Sequence, residues 1–343
     1  MDAAEHDARA RICVVGSINA DLTMRVDRLP KPGETVIGGS LAVTPGGKGA
    51  NQAVSAARLG AQVQMVGTVG DDEHAGIVLR ALKDAGVGTR EIARAEGVPT
   101  GLGMIVVDSA GENMITVASG ANASDPLTDS SLRAIARADI MLAQLEVPMG
   151  VVARAANAAR EQGTFVIINA APAPRRELRS EFVESVLPCT DLLIVNEHEA
   201  AAIVGGQPFP AMPFDESIPE RVRGLLSGLL SLGAQRVCVT LGRGGAALAR
   251  RATGVDSVYA PAFEVDAIDS VGAGDAFVGT MAARLAELRA TANADVLSPL
   301  ELTDLLSWAC AAGALACTRE GAIPAMPARA EVISLLRSAP LGR

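Results

Sequence analysis

The sequence predicts an α/β fold: a central, mostly parallel sheet with helices on both faces, plus a small β-sheet lid. Three observations lead there. Short runs of Val, Ile and Leu recur with little polar interruption, as in strands buried on both faces. Ala- and Leu-rich segments with helical spacing lie between them, the alternation from which parallel sheets are built. Two stretches, 21–45 and 100–118, break that alternation and read as extended segments with turns. Of 343 residues, 49% are hydrophobic and 20% charged, which fits a large, well-buried α/β domain. We expect it to span 11–337, with loose termini at 1–10 and 338–343.

The first strand is expected at 12–15. Gly16-Ser17-Ile18-Asn19-Ala20-Asp21 follows it, in the region beyond strand carboxyl ends where α/β sheets bind ligands. Asn19 and Asp21 can hold adjacent hydroxyls of a polyol; the same pair also suits an Asx-type turn. Next, Pro45-Gly46-Gly47-Lys48-Gly49-Ala50-Asn51-Gln52-Ala53 joins glycines that expose backbone to a helix start, expected over 49–59. It is not a G-x-x-x-x-G-K-[ST] loop, because Ala42 stands at the first glycine position and Gly49 follows Lys48. A glycine-rich helix start with a solvated lysine is the plainer reading. A strand at 63–66 and a helix at 75–85 continue the alternation. Within 100–118, residues 104–108 and 114–118 flank Ser109-Ala110-Gly111-Glu112-Asn113, a hairpin pattern. With 21–45 it makes the expected lid; two fixed surface hairpins are the alternative.

The strand at 140–145 leads into Glu146, a carboxylate that can take a substrate hydroxyl or serve as a loop charge. A helix at 149–162 and strands at 165–168 and 192–195 come next. After them, Asn196 and Glu199 lie one helical turn apart and can face one site. Mg²⁺ carried by phosphates and water needs few protein ligands there, and an ordinary N-cap with acids in the first turn fits as well. Residues 207–219 read as a loop. A helix at 221–232 and a strand at 237–241 precede Thr240-Leu241-Gly242-Arg243-Gly244-Gly245, a turn that lets a nucleotide approach backbone. Its glycine spacing matches a dinucleotide fingerprint only loosely, since 246–250 reads as another strand. Finally, Asp269-Ser270-Val271-Gly272-Ala273-Gly274-Asp275-Ala276-Phe277 sets small residues before an aspartate at the mouth of a helix over 276–288. Amides at such a start hold an anion. Asp275 beside them can take the proton of an alcohol during phosphoryl transfer.

The net charge of −9 argues against a nucleic-acid surface. With aromatics at 2%, a pocket would rely on hydrogen bonds more than on stacked rings. Five cysteines, without a CxxC pair, read as small buried hydrophobes in a reducing compartment. The three histidines are too scattered for a His-rich metal site. No signal-peptide core or membrane-length run is visible, so we expect a cytoplasmic protein with no membrane partner.

Together these motifs resemble the PfkB-type carbohydrate kinase family over about 12–336. The most specific are 16–21, 46–53 and 269–275, the last being the family's C-terminal signature; 99–101, 111–113 and 120–122 agree more weakly. The resemblance implies a Rossmann-like domain with a β lid, paired as a homodimer. It implies ATP-dependent phosphorylation of D-ribose at its 5-hydroxyl, with Mg²⁺. Ribose contacts would fall on Asn19, Asp21, Gly47, Lys48, Asn51 and Glu146, with Asp275 as base. ATP contacts would fall on Asn196, Thr240, Gly242, Arg243, Gly244, Gly245, Gly272, Ala273 and Gly274, with Glu199 helping to organise Mg²⁺ and water. A K⁺ site would use Asp269, Val271, Ala316, Arg319, Gly321 and Ala325, mostly through backbone carbonyls. Two positions depart from the family: Ala325 replaces a frequent Ser, and Cys310 stands where His or Asn often lies near the adenine. The alternatives are a kinase for another sugar or a nucleoside (fructose, adenosine) and a non-catalytic sugar-binding regulator. Scarce aromatics disfavour the nucleoside, and the intact Asp275 disfavours the regulator.

Overall fold

The apolar runs become strands of one nine-stranded sheet, and the two irregular stretches build a second, four-stranded one. The computed structural model describes residues 9–110, 112–206, 212–251, 255–291 and 297–338. In chain order the strands are β1 (Arg11–Val15), β2 (Asn19–Arg25), β3 (Leu41–Gly46), β4 (Gln62–Gly70), β5 (Gly88–Ala95), β6 (Gly101–Val107), β7 (Asn113–Ala118), β8 (Ile140–Gln144), β9 (Phe165–Asn169), β10 (Leu192–Asn196), β11 (Arg236–Thr240), β12 (Ala246–Arg251) and β13 (Val255–Ala260). The helices are α1 (Lys48–Arg58), α2 (Glu73–Asp84), α3 (Asp129–Ala136), α4 (Met149–Glu161), the single turn α5 (Arg179–Glu181), α6 (Glu197–Val204), α7 (Glu220–Ser231), α8 (Ala273–Thr291), α9 (Pro299–Ala316) and α10 (Arg329–Ser338).

The large sheet runs β13-β12-β11-β10-β9-β8-β1-β4-β5. Pairing is parallel from β11 to β5; β11 with β12 and β12 with β13 are antiparallel. Alternation along β1 shows why its apolar run is unbroken: Ile12 and Val14 enter one core, Cys13 and Val15 the other. The first core takes residues of α1, α2, α8, α9 and α10, the second those of α3, α4, α6 and α7. A polar residue at any central strand position would face burial without water.

The small sheet runs β3-β2-β6-β7, with β2 parallel to β6 and the outer pairs antiparallel. Its period of two sends Asn19 and Asp21 to one face and Leu22 and Met24 to the other. Leu41, Val43, Met104 and Met114 stand exposed.

Several elements lie outside the expected set. β5 carries Thr89, Arg90, Glu91 and Arg94, because an edge strand keeps polar positions that a central strand loses. α9 buries residues around much of its circumference, Leu302, Leu305, Leu306, Trp308, Ala309 and Cys310 among them, so its sequence lacks a strong helical period. α8 begins at Ala273, three residues ahead of the expected start. The loose termini expected at 1–10 and 338–343 fall mostly outside the described residues, as do 207–211 of the expected loop and Gly111 of the hairpin. All five cysteines are free; Cys13, Cys238 and Cys310 are buried, whereas Cys189 and Cys317 are only half-buried. Among the described residues no helix is long and apolar enough to cross a membrane.

Candidate active site

Close backbone approach brings the site together. α1 starts directly against the β1–β2 connection: a Cβ on Gly49 would lie 2.7 Å from Ser17 N and from Gly16 C. Gly47, the residue before the helix, has φ +89°, and a Cβ there would lie 2.7 Å from Asn19 N. Only glycine meets both demands cheaply. Farther along, Gly279 of α8 faces α1, where a Cβ would lie 2.5 Å from Gln52 O and from Ser55 Cβ. Ser55 Oγ also donates to Ala276 O (3.0 Å). This tight helix pair carries Asp275, in the first turn of α8, onto the flank of α1.

Asp275 is 7% exposed. Asn51 Nδ2 donates to its Oδ2 and Gln52 Nε2 to its Oδ1, each at 2.8 Å. Gly272, with φ +79°, turns the chain into α8. Among the described residues no backbone carbonyl accepts from the N–H of Gly272, Gly274 or Asp275. These free donors at a positive helix end form an anion cradle beside the carboxylate.

The sugar-side residues arrive from the small sheet. Asn19 and Asp21 begin β2, so they form no Asx turn; they are strand residues facing the large domain. Glycines on both neighbouring strands make room for them. A Cβ on Gly46 or Gly103 would overlap the Asp21 carboxylate, and one on Gly101 would overlap the Asn19 and Asn122 side chains. Asn122 Nδ2 donates to Asn19 Oδ1 (2.6 Å), and Ile18 N donates to Asn122 Oδ1 (2.9 Å). That pairing turns the Asn19 amino group away, free to donate elsewhere. Ser17 Oγ (2.6 Å) and Lys48 N (3.2 Å) donate to Glu146 Oε2. Asn51 Oδ1 is buried without a protein partner.

Electrostatics tie these groups into one cluster. Burial, then the Glu146 and Asp275 carboxylates, push Asp21 up to about 6, against the pull of Lys48. Burial acts to lower Lys48, yet Asp275, Glu146, Glu199 and Asp21 outweigh it and hold the ammonium above its ordinary range. Burial also raises Glu199, partly offset by its hydrogen bond from Asn196.

Asn196 and Glu199 form a capping box: Glu199 N donates to Asn196 Oδ1 and Asn196 N to Glu199 Oε2, both at 2.8 Å. Asn196 is also in register with Thr240 on the next strand. Gly242, Arg243 and Gly244 form a short turn closed by Leu241 N donating to Gly245 O (2.8 Å), and Tyr259 Oη donates to Gly244 O (2.6 Å). Asp269 receives Val271 N at Oδ1 (3.0 Å) and Gly321 N at Oδ2 (2.9 Å), joining the start of the 269–275 run to the 316–325 segment. The Arg319 guanidinium engages Glu331, so only its backbone could serve a cation. Ala325 is fully buried, and the Cys310 thiol packs in the core.

Four side chains at the site lay beyond the sequence reading as site residues: Ser17, Gln52, Asn122 and Asn169. Three of them, Ser17, Gln52 and Asn122, sit inside motifs already singled out; Asn169 does not, and only folding shows its partners. Gly101 and Gly103 carry a signal that could have been found, since glycines two apart in a strand mark a close approach on one face.

An acceptor-orienting polar face, a buried carboxylate and an anion cradle define a phosphotransferase acting on a small polyol. Residues 9–329 match the family described as pfkB family carbohydrate kinase, and the chain belongs to that family. It is 36% identical to the ribokinase of Bacillus subtilis (strain 168) over 329 residues, covering 95% of this chain and 99% of that one. The ribokinase of Haemophilus influenzae (strain ATCC 51907 / DSM 11121 / KW20 / Rd) is 33% identical over 333 residues, 96% of this chain and 100% of that one. The structure of Arabidopsis thaliana ribokinase complexed with ribose and ATP superposes with a TM-score of 0.79 at 30% identity, covering 97% of this chain and all of that one (100%).

Proposed function

We propose that the chain transfers the γ-phosphoryl group of ATP to the 5-hydroxyl of D-ribose, giving D-ribose 5-phosphate and ADP, with Asp275 as general base. One observation carries this reading: a buried aspartate stands between free helix-start amides and a polar, glycine-cleared face. Asn19, Asp21, Gly47, Lys48, Asn51 and Glu146 hold the sugar hydroxyls. Asp275 takes the proton of O5 as the O5–P bond forms and the bond from γ-phosphorus to the bridging oxygen breaks, releasing ADP. The free amides of Gly272, Gly274 and Asp275 receive the charge on the transferring group, while the Ala273 N–H, which donates to Ser270 O (3.2 Å), closes the turn that presents them. Asn196, Thr240 and the Gly242–Gly245 turn line the nucleotide end.

Among the described residues no three His, Cys, Asp or Glu side chains gather to hold a metal. Mg²⁺ would be held by phosphates and water, which needs few protein ligands, with Glu199 at one edge. Bound there, it would offset phosphate charge. For K⁺, the Asp269 link between 271 and 321 brings carbonyl-bearing segments together; Val271, Ala316, Arg319, Gly321 and Ala325 would supply backbone oxygens, and Ala325 no side-chain oxygen. The exposed apolar face of the small sheet supports pairing of two copies through the lid. The cytoplasm remains the expected compartment.

The test is ADP release with D-ribose, fructose or adenosine, each with and without Mg²⁺ and K⁺. Highest kcat/KM on ribose supports the reading. Higher values on fructose or adenosine overturn the substrate, and ribose binding without turnover overturns the reaction.

A further inference from the structure

Gln52 touches Asp275 but plays no part in the chemistry above. Its side chain is fully buried, at 0% exposure, so no ligand reaches it. Its carboxamide nevertheless makes three hydrogen bonds. Nε2 donates to Asp275 Oδ1 (2.8 Å) and to Asn169 Oδ1 (2.9 Å), while Oε1 accepts from Gln144 Nε2 (2.6 Å). Asn169 Nδ2 donates in turn to Ile194 O (3.1 Å). Three carboxamides, from α1, β8 and β9, thus form one buried chain ending on the carboxylate.

The direction of that chain is fixed at its far end. A backbone carbonyl only accepts, so Asn169 must offer its amino group to Ile194 and its oxygen to Gln52. Gln52 must then present its amino group to Asn169 and Asp275, and its oxygen to Gln144. Asp275 is therefore always met by a donor at Oδ1. The arrangement also fixes where its remaining lone pairs point. At the other end of the chain Gln144 Oε1 is buried without a protein partner, a cost that such buried polar chains carry wherever a member is left unsatisfied.

We propose that Gln52 is a positioning residue for phosphoryl transfer: held by Gln144 and Asn169, it orients Asp275 and keeps it ready to accept the proton of the sugar hydroxyl. This rests on Asp275 being the general base. The charged groups that act on Asp275 come from β2 (Asp21), α1 (Lys48) and α6 (Glu199), and all remain in the variants below.

The experiment uses the full chain, with kcat and KM for D-ribose and ATP measured from about pH 5 to about pH 9. Gln52→Met removes the donor at similar volume. We expect kcat to fall about 10- to 100-fold, the scale of a hydrogen bond to a charged group. We expect the acid limb of the kcat profile to move upward and KM for ribose to change less than about twofold. In an Asp275→Asn background, adding Gln52→Met should cost nothing further, because the group it positions is gone. Unchanged kcat and acid limb in Gln52→Met overturn the proposal, as does a further loss in the Asp275→Asn background. Near-normal turnover of Asp275→Asn itself sinks the general-base reading instead, which separates the two failures. Should Gln52→Met not fold, Gln144→Met carries the test: a loss in kcat that vanishes in the Asp275→Asn background supports the proposal, and an unchanged kcat overturns it.

Discussion

Two aspartates face the same site and live in opposite surroundings. Asp275, on the large domain, is gripped at both oxygens by the amides of Asn51 and Gln52. Asp21, on the small sheet, sits in a hollow left by Gly46 and Gly103, and among the described residues nothing donates to it. It lies beside the like charges of Glu146 and Asp275 and is pushed up to about 6. The contrast teaches that environment, not residue type, divides the work. A carboxylate with donors in place has its orientation fixed. A carboxylate short of donors keeps its lone pairs open to a ligand.

The contrast breaks most sharply at Asp275. Asp275→Asn should lose about 10²- to 10⁴-fold in kcat, the usual worth of a general base, while calorimetry still detects ribose binding. Near-normal turnover would exclude the assigned role.

Asp21→Asn should act on the other quantity. With its charged hydrogen bonds to hydroxyls lost, kcat/KM for ribose should fall about 10²-fold. The ligand-free protein should become more stable at the same time. Because the folded-state value of Asp21 is raised, the folded protein holds its proton more tightly than the unfolded chain. The resulting cost is absent at low pH, grows as pH rises from the model-peptide value of 3.8 to about 6, and persists above. Asp21→Asn should therefore gain about 1 kcal/mol over wild type at neutral pH, discounted for partial exposure, with the gain vanishing towards pH 4 in denaturant titrations. For wild type, kcat/KM for ribose should decline as pH falls through about 6, and a flat profile there would count against an ionised Asp21 as the sugar acceptor.

Gly103→Ala sharpens the comparison without touching a charge. Its methyl group would overlap Asp21, so KM for ribose should rise about 10-fold, in line with a displaced hydrogen bond, with kcat nearly kept. An unchanged KM would mean that the hollow does not set the carboxylate. The smallest effect is expected where the small sheet meets the large domain. Arg25, at the end of β2, pairs with Glu320 (2.8 Å), next to Gly321. Both side chains are exposed, so Arg25→Ala should shift ribose affinity or stability by under about 1 kcal/mol and be masked by salt.

The buried central strands were legible because a strand covered on both faces leaves little place for polar residues, as β1 shows; Gln144 and Asn169 stand only at the ends of β8 and β9. β5 was not, since its edge position lets Arg90, Glu91 and Arg94 stand among the apolar residues. α9 escaped for the opposite reason, being covered too widely to show a polar face. In the candidate site, Asn19, Asp21, Glu146 and Asp275 stood out from their place beside glycines and strand ends, whereas Lys48 and Asn51 were marked as sugar contacts only by the family resemblance. Asn122 was marked only as part of the 120–122 motif and not by its contact with Asn19, and Asn169 was not marked at all, because an isolated Asn at a strand end carries no local sign of its partner.

By itself the sequence determined the alternation of elements, the glycine-rich turns and the family, because short-range periodicity and backbone demands are written in neighbouring residues. Only the tertiary structure decided that Asp275 meets Gln52, a separation of 223 residues, and that Asp21 lies open between two glycines. Those outcomes depend on how closely α8 packs on α1 and β2 on its neighbours, and such distances are set by the whole packed core rather than by any one stretch of chain.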